Sequence, residues 1–150
     1  MQQSLIIEIT ELAIGVNRYA HPVANTPFDA LAAFISSDLQ YSKLVCDDWL
    51  KGIADVMSGA ITDYSGIGNR FLVRAFKDFV VLQGVYEEKM QMVVCTDCFK
   101  LIIEFWVEVL DSIEINGLTS VFGRTLEVPD PKPLVPVKEN DLVELIAEWI

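Results

Sequence analysis

The chain has 150 residues, 52% hydrophobic and 22% charged, which is enough for one domain with its own core and marks it as globular rather than disordered. Its 22 acidic residues against 11 basic ones give a net charge of −11, a field that repels bare nucleic acid and attracts basic proteins. Three cysteines are too few, and odd in number, for a disulfide framework.

No apolar run reaches the length of a membrane span, because "FKLIIEFWVEVLDSI" carries a carboxylate every three to four residues. The opening "MQQSLIIEIT" has neither the positive region nor the small-residue cleavage site of a secretory signal. A soluble, cytosolic protein of one domain over residues 1–150 is expected.

Residues 4–20 place Leu5, Ile6, Ile9, Leu12, Ala13 and Val16 on one helical stripe behind a Ser4 cap, although the β-rich "LIIEIT" leaves a strand as the alternative. A loop, "AHPVANTP", follows. Thr26 then stands as a helix N-cap, with Pro27 at the first helical position and Asp29 in the first turn. The spacing of Cys46, Trp49, Leu50, Ile53, Val56 and Met57 predicts a helix over 43–58 that Gly59 ends.

Beyond the glycine turn "SGAITDYSGIGN" the period changes to two. "RFLVRAF", "FVVLQGVYE" and "MQMVVC" are short runs with tight polar breaks, the pattern of an antiparallel meander. Thr96 or Asp97 caps a long helix to about Glu114, apolar around most of its circumference and therefore central. The expected class is α+β, a three- to four-stranded meander packed against several helices. Residues 128–150 differ in kind: four prolines between 129 and 136 make a strap, and "NDLVELIAEWI" is an amphipathic helix over 141–150. That helix is expected to dock on the chain's own helices, with Glu144 and Glu148 outward.

Cys95 and Cys98 form C-x-x-C where a strand gives way to a helix, the placement of a thioredoxin dithiol. The elements around it do not match that fold, and the intervening Asp97 opposes thiolate formation. The same thiols read as strand-end and helix-start core. With Cys46 and His21 they would complete a four-ligand zinc set, but without a second paired motif. His21 has no nucleophile motif to serve, and "YSGIGN" lacks the spacing of a phosphate loop. No catalytic residue, cofactor or metal is assigned.

Carboxylates beside aromatics are the remaining candidates, as partner-binding residues for a basic protein. They are Asp47 and Asp48 ahead of Trp49, Asp63 with Tyr64 in the glycine loop, and Tyr86, Glu87 and Glu88 in a turn. Trp49 itself lies on the apolar stripe and is expected in the core.

Residues 47–110 carry, in order, "DDWL", "GIGNRFLVRAF", "DFVVLQGVYEE", a third strand and "TDCFKLIIEFWVEVL". With Gly68-Asn69 opening the meander and Trp106 to Leu110 closing a W-x-x-x-L helix, this resembles the small acidic immunity proteins of polymorphic and contact-dependent growth-inhibition toxin systems. The resemblance covers under half the chain and leaves out the strap and last helix. It implies a cytosolic antitoxin that binds a basic toxin domain, often a nuclease, with no catalytic residues of its own. It transfers no contact position. Two other classes stay open: a thiol–disulfide protein using Cys95 and Cys98, and an oligomeric adaptor without catalysis.

Overall fold

The structure is a computed structural model and describes residues 4–86, 91–129 and 131. Glu87, Glu88 and the expected helix over 141–150 lie outside them, as does the strap except for Pro129 and Pro131. The class is α+β, with one antiparallel sheet of three strands and one of four.

The N-terminal segment is a hairpin and not a helix. Strands β1 (Leu5–Ile14) and β2 (Asn17–Ala24) pair from Ile7↔Ala24 to Ile14↔Asn17. The two-residue connection has Gly15 at φ 62, where a type II′ turn places its glycine. The segment read as a loop is therefore largely strand, and Pro22 is tolerated because β2 lies at the sheet edge. Odd residues Leu5, Ile7 and Ile9 are buried, while Ile6, Leu12 and Ile14 on the opposite face are exposed. Apolar residues on both faces blurred the period of two and allowed a helical stripe to be drawn through them.

Thr26 is not a cap: α1 (Asp29–Phe34) begins after Phe28 without any side-chain cap, and the Thr26–Pro27 peptide is cis. Asn25 does the local work instead. Its Oδ1 accepts from the Ile6 N–H at 2.8 Å and its Nδ2 donates to the Ser4 carbonyl at 2.8 Å, tying the end of β2 to β1. Helix α1 runs on into a π-helical turn, Ile35–Leu39.

Helix α2 (Lys43–Ser58) has the expected bounds. Ser42 accepts from the Val45 N–H at 3.2 Å, and Gly59 at φ 83 closes it in the left-handed conformation. The meander gains a fourth strand: β3 (Tyr64–Ile67), β4 (Phe71–Ala75), β5 (Phe79–Gly84) and β6 (Gln91–Cys95) lie in sequence order. Strand β3 was hidden by its glycine, which has a packing reason. A Cβ on Gly66 would stand 2.8 Å from the Trp49 indole, so the strand crosses that ring at close range.

Helix α3 (Thr96–Asn116) buries Phe99, Ile102, Ile103, Trp106 and Val109, as its pattern predicts. Its cap is neither Thr96 nor Asp97 but Cys95, whose Sγ accepts from the Cys98 N–H at 3.3 Å. A 3-10 turn (Leu118–Val121) then leads to β7 (Thr125–Val128), which pairs with β1 and completes a second sheet in the order β2-β1-β7. That sheet was not foreseen, and Val128 belongs to it rather than to the strap. The inner faces of both sheets share one core with α1, α2 and α3, including Ile7, Phe34, Ile53, Val73, Leu82 and Trp106.

Candidate partner-binding surface

Those of the expected partner-binding residues that the structure describes do not form one patch. Asp47 and Asp48 are exposed on the outer side of α2. Asp63 is engaged, its Oδ2 receiving Arg74 Nη2 at 3.3 Å. Tyr64 is half-buried against Trp49, edge to face at 5.1 Å, and over Gly52, where a Cβ would overlap its ring. It holds β3 to α2. Register separates the rest: Tyr64 lies opposite Ala75, whereas Tyr86 follows Gly84, which lies opposite Phe71 at the other end of β4. Tyr86 is 83% exposed.

The Gly68-Asn69 turn that marks the resemblance has a structural basis. Asp38 on the π-helical turn accepts from the N–H groups of Arg70 at 2.9 Å and Phe71 at 3.0 Å. Asn69 Nδ2 donates to the Ser37 carbonyl at 2.9 Å, and a Cβ on Gly68 would sit 2.5 Å from the Asp38 carboxyl carbon. The glycine and asparagine thus clasp a helical turn to the sheet. Burial pushes the Asp38 carboxyl above its ordinary 3.8, more than the N–H donors of Arg70, Phe71 and Asn69 draw it down.

A concave surface lies under the tip of the β1–β2 hairpin. A cleft of about 310 Å³ is lined by Leu12, Ile14, Tyr19, His21, Gln40, Tyr41 and the edge of Trp106. It adjoins a groove of about 570 Å³ that shares Tyr19 and Tyr41 and continues along Arg18, Lys43, Ile113, Glu114 and Leu118. The hairpin tip supplies apolar surface on purpose-built extended chain, with Ile14 60% and Val16 98% exposed.

Its floor is fixed by three contacts. The Tyr41 hydroxyl accepts from the Ala20 N–H at 2.7 Å and donates to the Ala20 carbonyl at 3.1 Å, occupying the open edge of β2 as a neighbouring strand would. The Tyr41 ring stacks on Trp106 at 5.9 Å and 18°. Trp106 Nε1 in turn donates to the Gln40 carbonyl at 2.6 Å. Gln40 has φ 52 and ψ −142, a conformation rarely adopted by residues other than glycine and held here by its neighbours. Burial also pushes the Tyr41 phenol above its ordinary 10.0, so it remains a neutral donor and acceptor.

The rim is charged and largely self-paired. Arg18 meets Glu11 at 2.9 Å, and Lys43 lies between Asp111 at 2.7 Å and Glu114 at 3.0 Å, which push its ammonium up. Taken whole, α2 and α3 carry eight carboxylates (Asp47, Asp48, Asp55, Asp97, Glu104, Glu108, Asp111, Glu114) against three lysines (Lys43, Lys51, Lys100), so this layer is acidic overall. Sequence reasoning missed the cleft because its residues come from four separate segments. The available signal was Gly15 between apolar runs, a hairpin mark.

The cysteines have other roles. Cys95 caps α3, and hydrogen bonding to Cys95 together with burial pushes the Cys98 thiol far up. Burial raises Cys46 to about 11, on the other helix. These shifts oppose thiolate formation. His21 lines the cleft under the hairpin. Among the described residues no helix is long and apolar enough to cross a membrane. No family model, curated protein or solved structure matches the chain.

Proposed function

We propose that this protein is a non-catalytic immunity protein that binds and neutralises a cognate basic toxin domain, a nuclease by class, in the cytoplasm. The hairpin cleft is the observation that carries the proposal. Exposed Leu12, Ile14 and Val16 and the cleft-lining tyrosines Tyr19 and Tyr41 offer the apolar and aromatic anchors of an interface centre. The layer formed by α2 and α3 is acidic overall, a field that steers a basic partner and does not attract nucleic acid. A preformed floor favours the same outcome, because a partner that meets fixed side chains loses less ordering entropy on binding.

The experiment is co-expression with a basic nuclease toxin domain, chosen from genes found to neighbour this one. The wild-type chain protects the host, whereas Leu12→Asp with Ile14→Asp abolishes protection while the purified variant keeps its fold. Protection that survives this double substitution places the interface elsewhere. A partner-free chain that sediments as a stable dimer through the same residues makes the surface an oligomer contact instead.

A further inference from the structure

A second, smaller pocket opens on the other side of the π-helical turn. It holds about 190 Å³, and its walls include Phe34, Asp38, Trp49, Gly66, Gly68 and Phe71. Ser36 and Gln40 line the hairpin cleft, and two positions along a helix rotate a side chain by roughly 200°. Phe34 and Asp38 therefore face away from that cleft, toward a space between α2 and the edge strand β3.

The chemistry of the walls is one-sided. Among the described residues that line the pocket, Asp38 alone carries a charge, and Phe34, Trp49 and Phe71 supply aromatic rings. A carboxylate and aromatic faces both attract cations. Gly66 and Gly68 have the same parity along the strand, so bare main chain forms the wall beside the carboxylate. The Gly68 N–H donates to the Phe71 carbonyl at 2.9 Å, which puts Ile67 and Leu72 in a non-bonded pair. The Ile67 carbonyl therefore points to the open edge of β3, a further acceptor at the pocket.

Asp38 keeps acceptor capacity. The N–H groups of Arg70, Phe71 and Asn69 reach it, whereas an ionised carboxylate accepts about four bonds. The Arg70 guanidinium lies 6.0 Å from the Phe71 ring centre and draws the carboxyl down less than any of these bonds does. Burial outweighs them all, so the carboxylate is short of compensation.

We propose that this pocket takes a single lysine or arginine side chain from a basic protein partner. Its volume lies below the ~300–1,000 Å³ of sites for whole ligands and suits one side chain. The net charge of −11 favours partners rich in such side chains. The inference goes beyond the toxin reading and does not rest on it, since the pocket is a separate surface and its test uses no toxin.

Nuclear magnetic resonance titration of the full-length protein tests it, with N-acetyl-lysine methylamide as the cation and N-acetyl-norleucine methylamide as its neutral counterpart. The lysine amide should shift the Gly66 and Gly68 amides and the Trp49 indole N–H saturably, at several-fold lower concentration than the norleucine amide. Asp38→Asn should abolish the difference between the two probes. Val45→Phe, which fills the pocket from α2 and leaves Asp38 in place, should weaken both. Should either variant fail to fold, the comparison of the two probes on the wild type decides alone. An equal response to both probes overturns the proposal. So does a lysine-amide shift no larger at Gly66 and Gly68 than at the exposed Asp47 and Asp48. Butylammonium binding more tightly than the lysine amide overturns the assignment to a partner's side chain and makes the pocket a site for a small amine.

Discussion

Trp106 and Gln40 are joined by a 2.6 Å hydrogen bond from the indole Nε1 to a main-chain carbonyl, and that carbonyl belongs to a residue at φ 52. The bond links the central helix to the end of the π-helical turn, and Tyr41 follows directly to cap the hairpin edge. Trp106→Phe keeps an aromatic ring but loses the donor and part of the buried indole volume, leaving a part-buried carbonyl unpaired. A loss of about 1–3 kcal/mol is expected in urea unfolding. Gln40→Gly should be more stable than Gln40→Ala by about 1 kcal/mol, since glycine relieves the backbone conformation.

Asp38 gives a pH signature. Its carboxyl is raised above 3.8, so on acidification the native state takes the proton before the unfolded state does. Its contribution to stability rises as pH falls through the native value and levels off below 3.8. The gap in unfolding free energy between wild type and Asp38→Asn should therefore widen from pH 7 toward pH 4. A gap that narrows would mean that the N–H donors of Arg70 and Phe71 outweigh burial.

Gly52→Ala tests the seat of Tyr64. In an open helix the change would stabilise by up to about 1 kcal/mol. Here the new methyl overlaps the Tyr64 ring, and a net loss of about 1–3 kcal/mol is expected from overpacking. Adding Tyr64→Ser should recover part of that loss, as thermal denaturation of the double variant will show.

The thiols should behave as structure. Cys95→Ala removes the α3 cap and should cost about 0.5–2 kcal/mol, with Cys95→Ser closer to wild type. Iodoacetamide at neutral pH should label Cys46 and Cys98 in the native protein only slowly, because burial pushes both thiols up.

What the sequence made legible follows from how local each signal was. Helix α2 was bounded correctly because its apolar spacing and Gly59 mark it within the chain itself, and Ser42 proves to be its cap. Strand β4 alternates cleanly since one face meets the helices, whereas β5 and β6 were legible as short apolar runs between polar breaks. The first hairpin failed on Ile6, Leu12 and Ile14, whose outer-face exposure puts apolar residues on both sides of the strand. Among the proposed contacts, Asp63 and Tyr64 are used within the fold, by Arg74 and by Trp49 with Gly52, which a residue-type rule does not reveal. The cleft was invisible because Tyr19, Tyr41 and Trp106 meet only through tertiary pairing.

The central claim is an acidic, hairpin-centred docking surface for a basic toxin domain, and association kinetics with that domain test it most directly. The wild type should associate quickly at low salt and more slowly at physiological salt, chiefly through the association rate. Leu12→Asp with Ile14→Asp should lose the complex through faster dissociation. A rate that is flat with salt, or a double variant that dissociates like the wild type, would contradict the account.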